Sequence, residues 1–152
     1  MSVSLHQVSG PECEVSVAPL SEYQASAELI AKFDQRAVQV VCTNDEFLFE
    51  FGDTATSVHF VKKGEVRLLM PVSRTRAMGF RAGAGSLVGL PAAFSNEPYS
   101  MSALALKGTE LGVMSRERFC ELIATSPAFS FDVLRILAAE TRSARRAIIA
   151  AR

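Results

Sequence analysis

Between residues 37 and 115, seven short runs rich in β-branched, aromatic and other apolar residues follow one another, with no helical period between them. They fall at 38–42, 47–51, 58–61, 66–70, 77–80, 101–106 and 110–114. Turn signals separate them, notably Phe51-Gly52-Asp53 and Lys63-Gly64. Strands at this spacing without intervening helices do not suggest a parallel α/β sheet, whose strands need a crossover of a dozen or more residues. The region therefore reads as mainly β, an antiparallel β-roll of the double-stranded β-helix or jelly-roll kind. Within it, Phe47, Phe49 and Phe51 alternate with Leu48 and Glu50, which predicts one aromatic strand face.

Helical signals flank this block on both sides. Residues 1–20 read as a lead-in arm with a short strand at 14–18. Ser21 is placed to cap a helix running to about residue 35, with Leu29, Ile30 and Phe33 as its apolar stripe. Ser115 caps a short helix through Phe119, Leu122 and Ile123. Ser126-Pro127 then opens a long C-terminal helix, with proline at the first helical position. Along it Leu134, Leu137, Thr141, Ala144 and Ile148 step by three and four residues. That stripe fits either a helix lying on its own β-roll or a homodimer seam, and two heptads do not separate the two. The expected organisation is an arm (1–20), the roll with its flanking short helices (21–125) and the last helix (126–152).

The 152 residues suffice for one domain with a real core, and 49% of them are hydrophobic, which excludes disorder. Formal net charge is zero, which argues against direct DNA binding. Arg142, Arg145, Arg146 and Arg152 make the last helix basic at its end, as the helix dipole favours. Cys13, Cys42 and Cys120 are widely spaced and form no CxxC pair, so they read as free thiols in a reducing cytoplasm. A metal-dependent jelly-roll enzyme needs clustered histidines, and the chain has only His6 and His59. No GxSxG, HExxH or Walker-type loop occurs, so no catalytic residue, metal or cofactor is expected. Nothing marks a signal peptide or a membrane span, and a cytoplasmic protein is expected.

The order of helix, β-roll, short helix and long helix resembles the cyclic-nucleotide-binding domain of the catabolite activator protein-like regulators. The stretch from Phe51-Gly52-Asp53 through Val58 to Arg67 looks like that family's opening hairpin. Gly83-Ala84-Gly85-Ser86-Leu87-Val88-Gly89 looks like the approach to its ligand loop, and residues 110–119 like its last strand and following helix. The resemblance runs over residues 22–150. In the transcription factors of the family a helix-turn-helix domain follows, and this sequence stops at Arg152, where that domain would begin.

The resemblance implies a phosphate-binding cassette of glycine, glutamate, a short helix, then arginine followed by serine or threonine. The arginine pairs with the cyclic phosphate and the glutamate accepts from the ribose 2′-hydroxyl. Here the stretch runs Gly89-Leu90-Pro91-Ala92-Ala93-Phe94-Ser95-Asn96-Glu97-Pro98-Tyr99-Ser100. Gly89, Pro98 and Ser100 match, but Leu90 stands at the glutamate position and Tyr99 at the arginine position. A charge-assisted arginine contact is worth roughly 1.5–3 kcal/mol, and one neutral tyrosine hydrogen bond does not replace it. The cassette residues Gly89, Leu90, Pro91, Ala92, Tyr99, Ser100 and Met101 therefore form a degenerate site. Leu90, Pro91, Phe94, Tyr99 and Met101 either line an apolar pocket or fill it; among Arg67, Arg74, Arg76 and Arg81, any that faced inward would offer a substitute cation. The implied function is a stand-alone, non-catalytic sensory or regulatory domain, homodimeric through its last helix. It would sense a molecule other than cyclic AMP or cyclic GMP, or act without ligand as an interaction module with a separate regulator.

Overall fold

In the computed structural model, which describes residues 14–21 and 23–150, the strand-rich region folds into two sheets facing each other across a shared interior. In chain order the elements are β1 (Glu14–Pro19), α1 (Ala27–Arg36), β2 (Val38–Val41), β3 (Glu46–Phe49), β4 (Ser57–Lys63), β5 (Glu65–Pro71) and β6 (Arg76–Gly83). After these come β7 (Leu87–Val88), α2 (Leu90–Ser95), β8 (Ser102–Ala105), β9 (Glu110–Ser115), α3 (Arg116–Ala124) and α4 (Pro127–Ala150). One sheet has the order β1-β6-β5-β8-β3 and the other β2-β9-β4-β7. The expected mainly β roll with flanking helices and a long last helix is the observed architecture. All strand pairs are antiparallel except β1 with β6, so part of the arm is built into the roll as a parallel edge strand.

In the four-stranded sheet β4, β7 and β9 are largely buried on both faces, and β4 and β9 alternate accordingly, while the edge strand β2 is mostly exposed. Along β4, Val58 and Phe60 point to the helices, where they meet Leu29, Phe33, Phe119, Leu122 and Ile136. Val61 points into the roll with Val66, Leu68, Phe80 and Leu111. Gly112 on β9 is what lets α1 approach, since a Cβ there would lie 3.2 Å from the Ala37 methyl and 3.5 Å from the Phe33 ring.

Three expectations are revised. The first helix is capped by Ser26, not Ser21: the Ser26 hydroxyl accepts from the Leu29 N–H, while Asp132 of α4 accepts from the Ser26 N–H at 2.8 Å. Ser21 instead closes a local turn with Tyr23. The aromatic face of 47–51 is broken by a register shift between Phe47 and Phe49, which leaves Phe47 exposed and Phe49 buried. Past Phe49 the chain turns, with the Asp53 N–H donating to the Glu50 carbonyl. The stretch through Lys63-Gly64 is no hairpin either, because β4 and β5 lie in different sheets and Gly64 is the corner between them.

That corner is tight. Gly64 has φ +93°, and a Cβ would sit 2.6 Å from the Thr109 hydroxyl and 2.8 Å from its Cα. Thr109 is buried and its hydroxyl both accepts from the Glu65 N–H and donates to the Glu65 carbonyl. Gly64→Ala must shift backbone as well as adopt a strained φ. It is expected to cost about 1–3 kcal/mol, read as a lower urea midpoint at unchanged m-value.

Candidate functional site

The segment between β7 and β8 covers the mouth of the roll and is held from both ends. Gly89, at φ +94°, precedes α2, and a Cβ there would approach the Ser57 carbonyl to 3.2 Å. At the other end Arg116 donates from Nε to the Ala93 carbonyl and from Nη1 to the Asn96 side-chain oxygen, both at 2.7 Å. Asn96 itself sits in the left-handed region at φ 57°. The short helix is thus pinned to the start of α3 by a guanidinium that no part of the sequence reading singled out.

Tyr99 closes the mouth. Its ring stacks on Phe49 with centroids 3.7 Å apart and planes 9° from parallel. Its hydroxyl accepts from the N–H groups of Thr56 and Ser57 and donates to the Ser57 carbonyl at 2.9 Å. Its backbone bonds Asp53 and Gly52. A residue only 4% exposed with all its polar atoms committed is a structural clamp.

Behind the clamp lies a half-open cavity of about 40 Å³. Gly89, Pro91, Ala92, Tyr99, Ser100 and Met101 all line it, together with Phe49, Leu68, Leu20 and Glu140 of α4. Two residues expected at the pocket lie elsewhere. Leu90 is fully buried among the helices, next to Leu87, Met114 and Phe119. Phe94 is exposed, its ring 5.8 Å from Phe119. The reason is the helical turn: consecutive α2 residues point in different directions, so Leu90 and Ala93 serve the helical core while Ala92 serves the roll. None of the four candidate arginines lines the cavity. Arg67, Arg74, Arg76 and Arg81 are all exposed, and Arg67 pairs with Glu65 at 3.0 Å.

Glu140, His59 and Cys42 are titratable groups in or beside this interior whose environment shifts them. Glu140 was missed by sequence reasoning, since a glutamate inside a charged helix carries no signal of which side it faces. Burial among apolar neighbours pushes its carboxyl from 4.5 up to about 8. His59 is buried with its ring 5.8 Å from Phe49, its Nδ1 has no hydrogen-bond partner among the described residues, and desolvation lowers its pKa from 6.5 to about 4. Cys42 is buried, and desolvation, aided by Glu46, raises its thiol to about 11, so it is unreactive near neutrality. Among the described residues no His, Cys, Asp and Glu cluster is fit to hold a metal ion. None of the described helices is long and apolar enough to cross a membrane.

On the last helix, Phe129, Asp132, Val133, Ile136 and Ala139 are buried against the rest of the chain. Asp132 accepts from Tyr23 and Ser26 and so ties α4 to the start of α1. Leu137 and Ala144 are half-buried on the chain's own core, whereas Leu134, Thr141 and Ile148 are exposed. A second cavity, of about 220 Å³, lies beside α4 between Tyr23, Ala139, Arg142, Ser143 and Arg146.

The two-sheet roll thus carries a short helix at its mouth and a long helix that reaches the same cavity. Residues 39–126 match the family model for the cyclic nucleotide-binding domain, and the chain belongs to that family. The catabolite activator protein of Thermus thermophilus is similar in structure, with TM-score 0.70 and 23% identity over 81% of this chain and 58% of that one. A cyclic nucleotide-binding domain from Methylobacillus flagellatus is similar at TM-score 0.65 and 24% identity, over 80% of this chain and 70% of that one. The c-di-GMP responsive regulator CLP of Xanthomonas campestris is similar at TM-score 0.62 and 22% identity, over 82% of this chain and 60% of its own length. The chain thus spans under two thirds of the Thermus and Xanthomonas proteins. No curated protein matches it.

Tyr99→Phe removes the hydroxyl and leaves the Ser57 and Thr56 N–H groups without that acceptor. It is expected to lower stability by about 1–3 kcal/mol in a urea titration. The pH dependence of stability follows from His59 and Glu140. Between pH 4.5 and 6.5 they act in opposite senses. The unfolded chain carries the extra proton at His59, so stability rises with pH; the folded chain carries it at Glu140, so stability falls. From 6.5 to about 8 only Glu140 contributes, and stability falls. The expected loss over that upper window is about 1–2 kcal/mol, seen as a declining melting temperature in the wild type and absent in Glu140→Gln.

Proposed function

We propose that this chain is a non-catalytic regulatory domain that does not hold cyclic AMP or cyclic GMP through the family's phosphate contacts. The observation that carries this reading is Tyr99. The position that resembles the family's arginine is occupied by a side chain whose hydroxyl is spent on the backbone of Thr56 and Ser57. Among the described residues no arginine, lysine or histidine lines the cavity behind it. An anionic phosphate there would meet no counter-charge, and its desolvation would go uncompensated. Glu140 adds a carboxyl where a phosphate would need a cation.

In this reading the domain works in the cytoplasm and signals through α4, which carries Glu140 into the cavity and leaves an apolar stripe on its outer side. Phe131, Leu134 and Ile148 are 57%, 61% and 45% exposed and recur at helical spacing, so α4 serves as the seam of a homodimer. A ligand that shifts α4 relative to the roll would change that seam and its partners. A second reading, an interaction module without ligand that docks a separate regulator, draws support from the cavity's size. About 40 Å³ holds one or two waters, against the roughly 300–1,000 Å³ of ordinary small-molecule sites.

Cyclic AMP and cyclic GMP at millimolar concentration are expected to leave the melting temperature unchanged. A ligand at a hundred times its dissociation constant adds about 2.7 kcal/mol of stability, so a clear upward shift would overturn the proposal. For the seam, Leu134→Glu is the informative change, because Leu137 is half-buried on its own core and would confuse folding with assembly. The solution mass is expected to fall from dimer to monomer in Leu134→Glu. A monomeric wild type would refute the seam.

A further inference from the structure

We infer that the cavity between the roll and α4 takes the ammonium head of a small apolar amine, with the Glu140 carboxylate as its counter-ion. This rests on the reading of the domain as a sensor whose site has lost its phosphate contacts, and it names the ligand class. The lining is a mainly apolar cup of Leu20, Phe49, Leu68, Ala92 and Met101 with Ser100 at its edge, and Glu140 supplies the one carboxyl among the described residues that line it. A volume of about 40 Å³ suits a group the size of one or two waters, with the rest of a ligand lying on the half-open side of the cavity.

No other described charge competes for that carboxyl. Glu46 and Glu50 on β3 and its turn, Arg67 on β5, Arg76 and Arg81 on β6, and Glu97 after α2 are exposed, and Arg67 is already paired with Glu65. His59 lies against Phe49 and is neutral at physiological pH. On α4 itself, Arg142 and Arg146 line the separate cavity beside Tyr23, and Arg135 lies over the Phe131 ring. The Glu140 residue is half-buried, and an ionised carboxylate at the edge of an apolar cup is stabilised further by a cation that enters with it.

A proton is the competitor. Since burial raises the Glu140 carboxyl to about 8, near pH 7 most molecules hold a proton where the ammonium would sit. Raising the pH from 7 to 9 lifts the ionised fraction from about a tenth to about nine tenths, so apparent affinity should rise about tenfold. An alkylamine stays charged over this range, since a primary ammonium titrates at about 10.4.

The experiment is isothermal titration of the full chain with n-butylammonium chloride at pH 7 and pH 9, beside 1-butanol, cyclic AMP and the Glu140→Gln variant. The expected result is amine binding about tenfold tighter at pH 9, its loss in Glu140→Gln and no comparable binding of butanol. On the wild type alone, titrations in two buffers of different ionisation enthalpy should show about 0.9 proton released per amine bound at pH 7 and about 0.1 at pH 9. That measurement decides the matter even if the variant folds poorly. Absence of amine binding at pH 9, equal binding in Glu140→Gln, equal binding of butanol, or no proton release at pH 7 would each overturn the assignment. Failure with the amine while cyclic AMP also fails to bind leaves the degenerate-site reading standing; binding of cyclic AMP overturns that reading.

Discussion

The strands β4 and β9 must bury both of their faces, and most of the molecule follows from how they do so. Side chains of β4 and β9 alternate between an interior shared with the five-stranded sheet and a second core built with the helices. A strand that serves two cores cannot slip by one residue without exchanging them. The sheet therefore fixes the roll and the helix positions at once. Val58, Phe60 and Met114 locate α1, α3 and α4 on the outside, while Val61, Val88 and Leu111 locate the roll's interior. The short helix α2 lies where the two cores meet, and it contributes Leu90 to one and Ala92 to the other.

This geometry explains why the cassette has become a closure. With Leu90 committed to the helical core and Tyr99 stacked on Phe49, neither position presents a polar group to the interior. The tyrosine hydroxyl stabilises the start of β4, and the stacked pair adds roughly 0.5–1.5 kcal/mol beyond the area it buries. The residues that hold the site in shape are therefore also those that leave it without an anchor for an anion. The acidic group at the cavity comes from α4, through a carboxyl raised by burial, so the chemistry of the cavity and the placement of the C-terminal helix are linked through one side chain.

The helix itself has two faces with different duties. Its inner side carries Asp132, which accepts from Tyr23 and Ser26 and so anchors the first helix, and further along carries Glu140 into the cavity. Its outer side keeps Phe131, Leu134 and Ile148 exposed. The five-residue stripe legible in the sequence spans both sides, because a step of three and four residues defines a narrow band without saying where its edges fall.

The sequence by itself determined the class of fold, since short strands at even spacing, glycine-marked turns and two capped C-terminal helices admit few other arrangements. It also determined that Leu90 and Tyr99 stand where the family's charged anchors would be, because identity at a position is a property of the chain alone. The tertiary structure decided the rest, for reasons that spacing cannot carry. The bulge at Leu48 sets which phenylalanine faces in, the switch of sheets at Gly64 turns an apparent hairpin into a corner, and the capping serine is chosen by Asp132, over a hundred residues away. Above all, Glu140 becomes part of the cavity only when α4 is laid against the roll. Direction and burial of a side chain depend on partners remote in sequence, and those partners decide whether a residue is a surface charge or the single acid in an apolar cup.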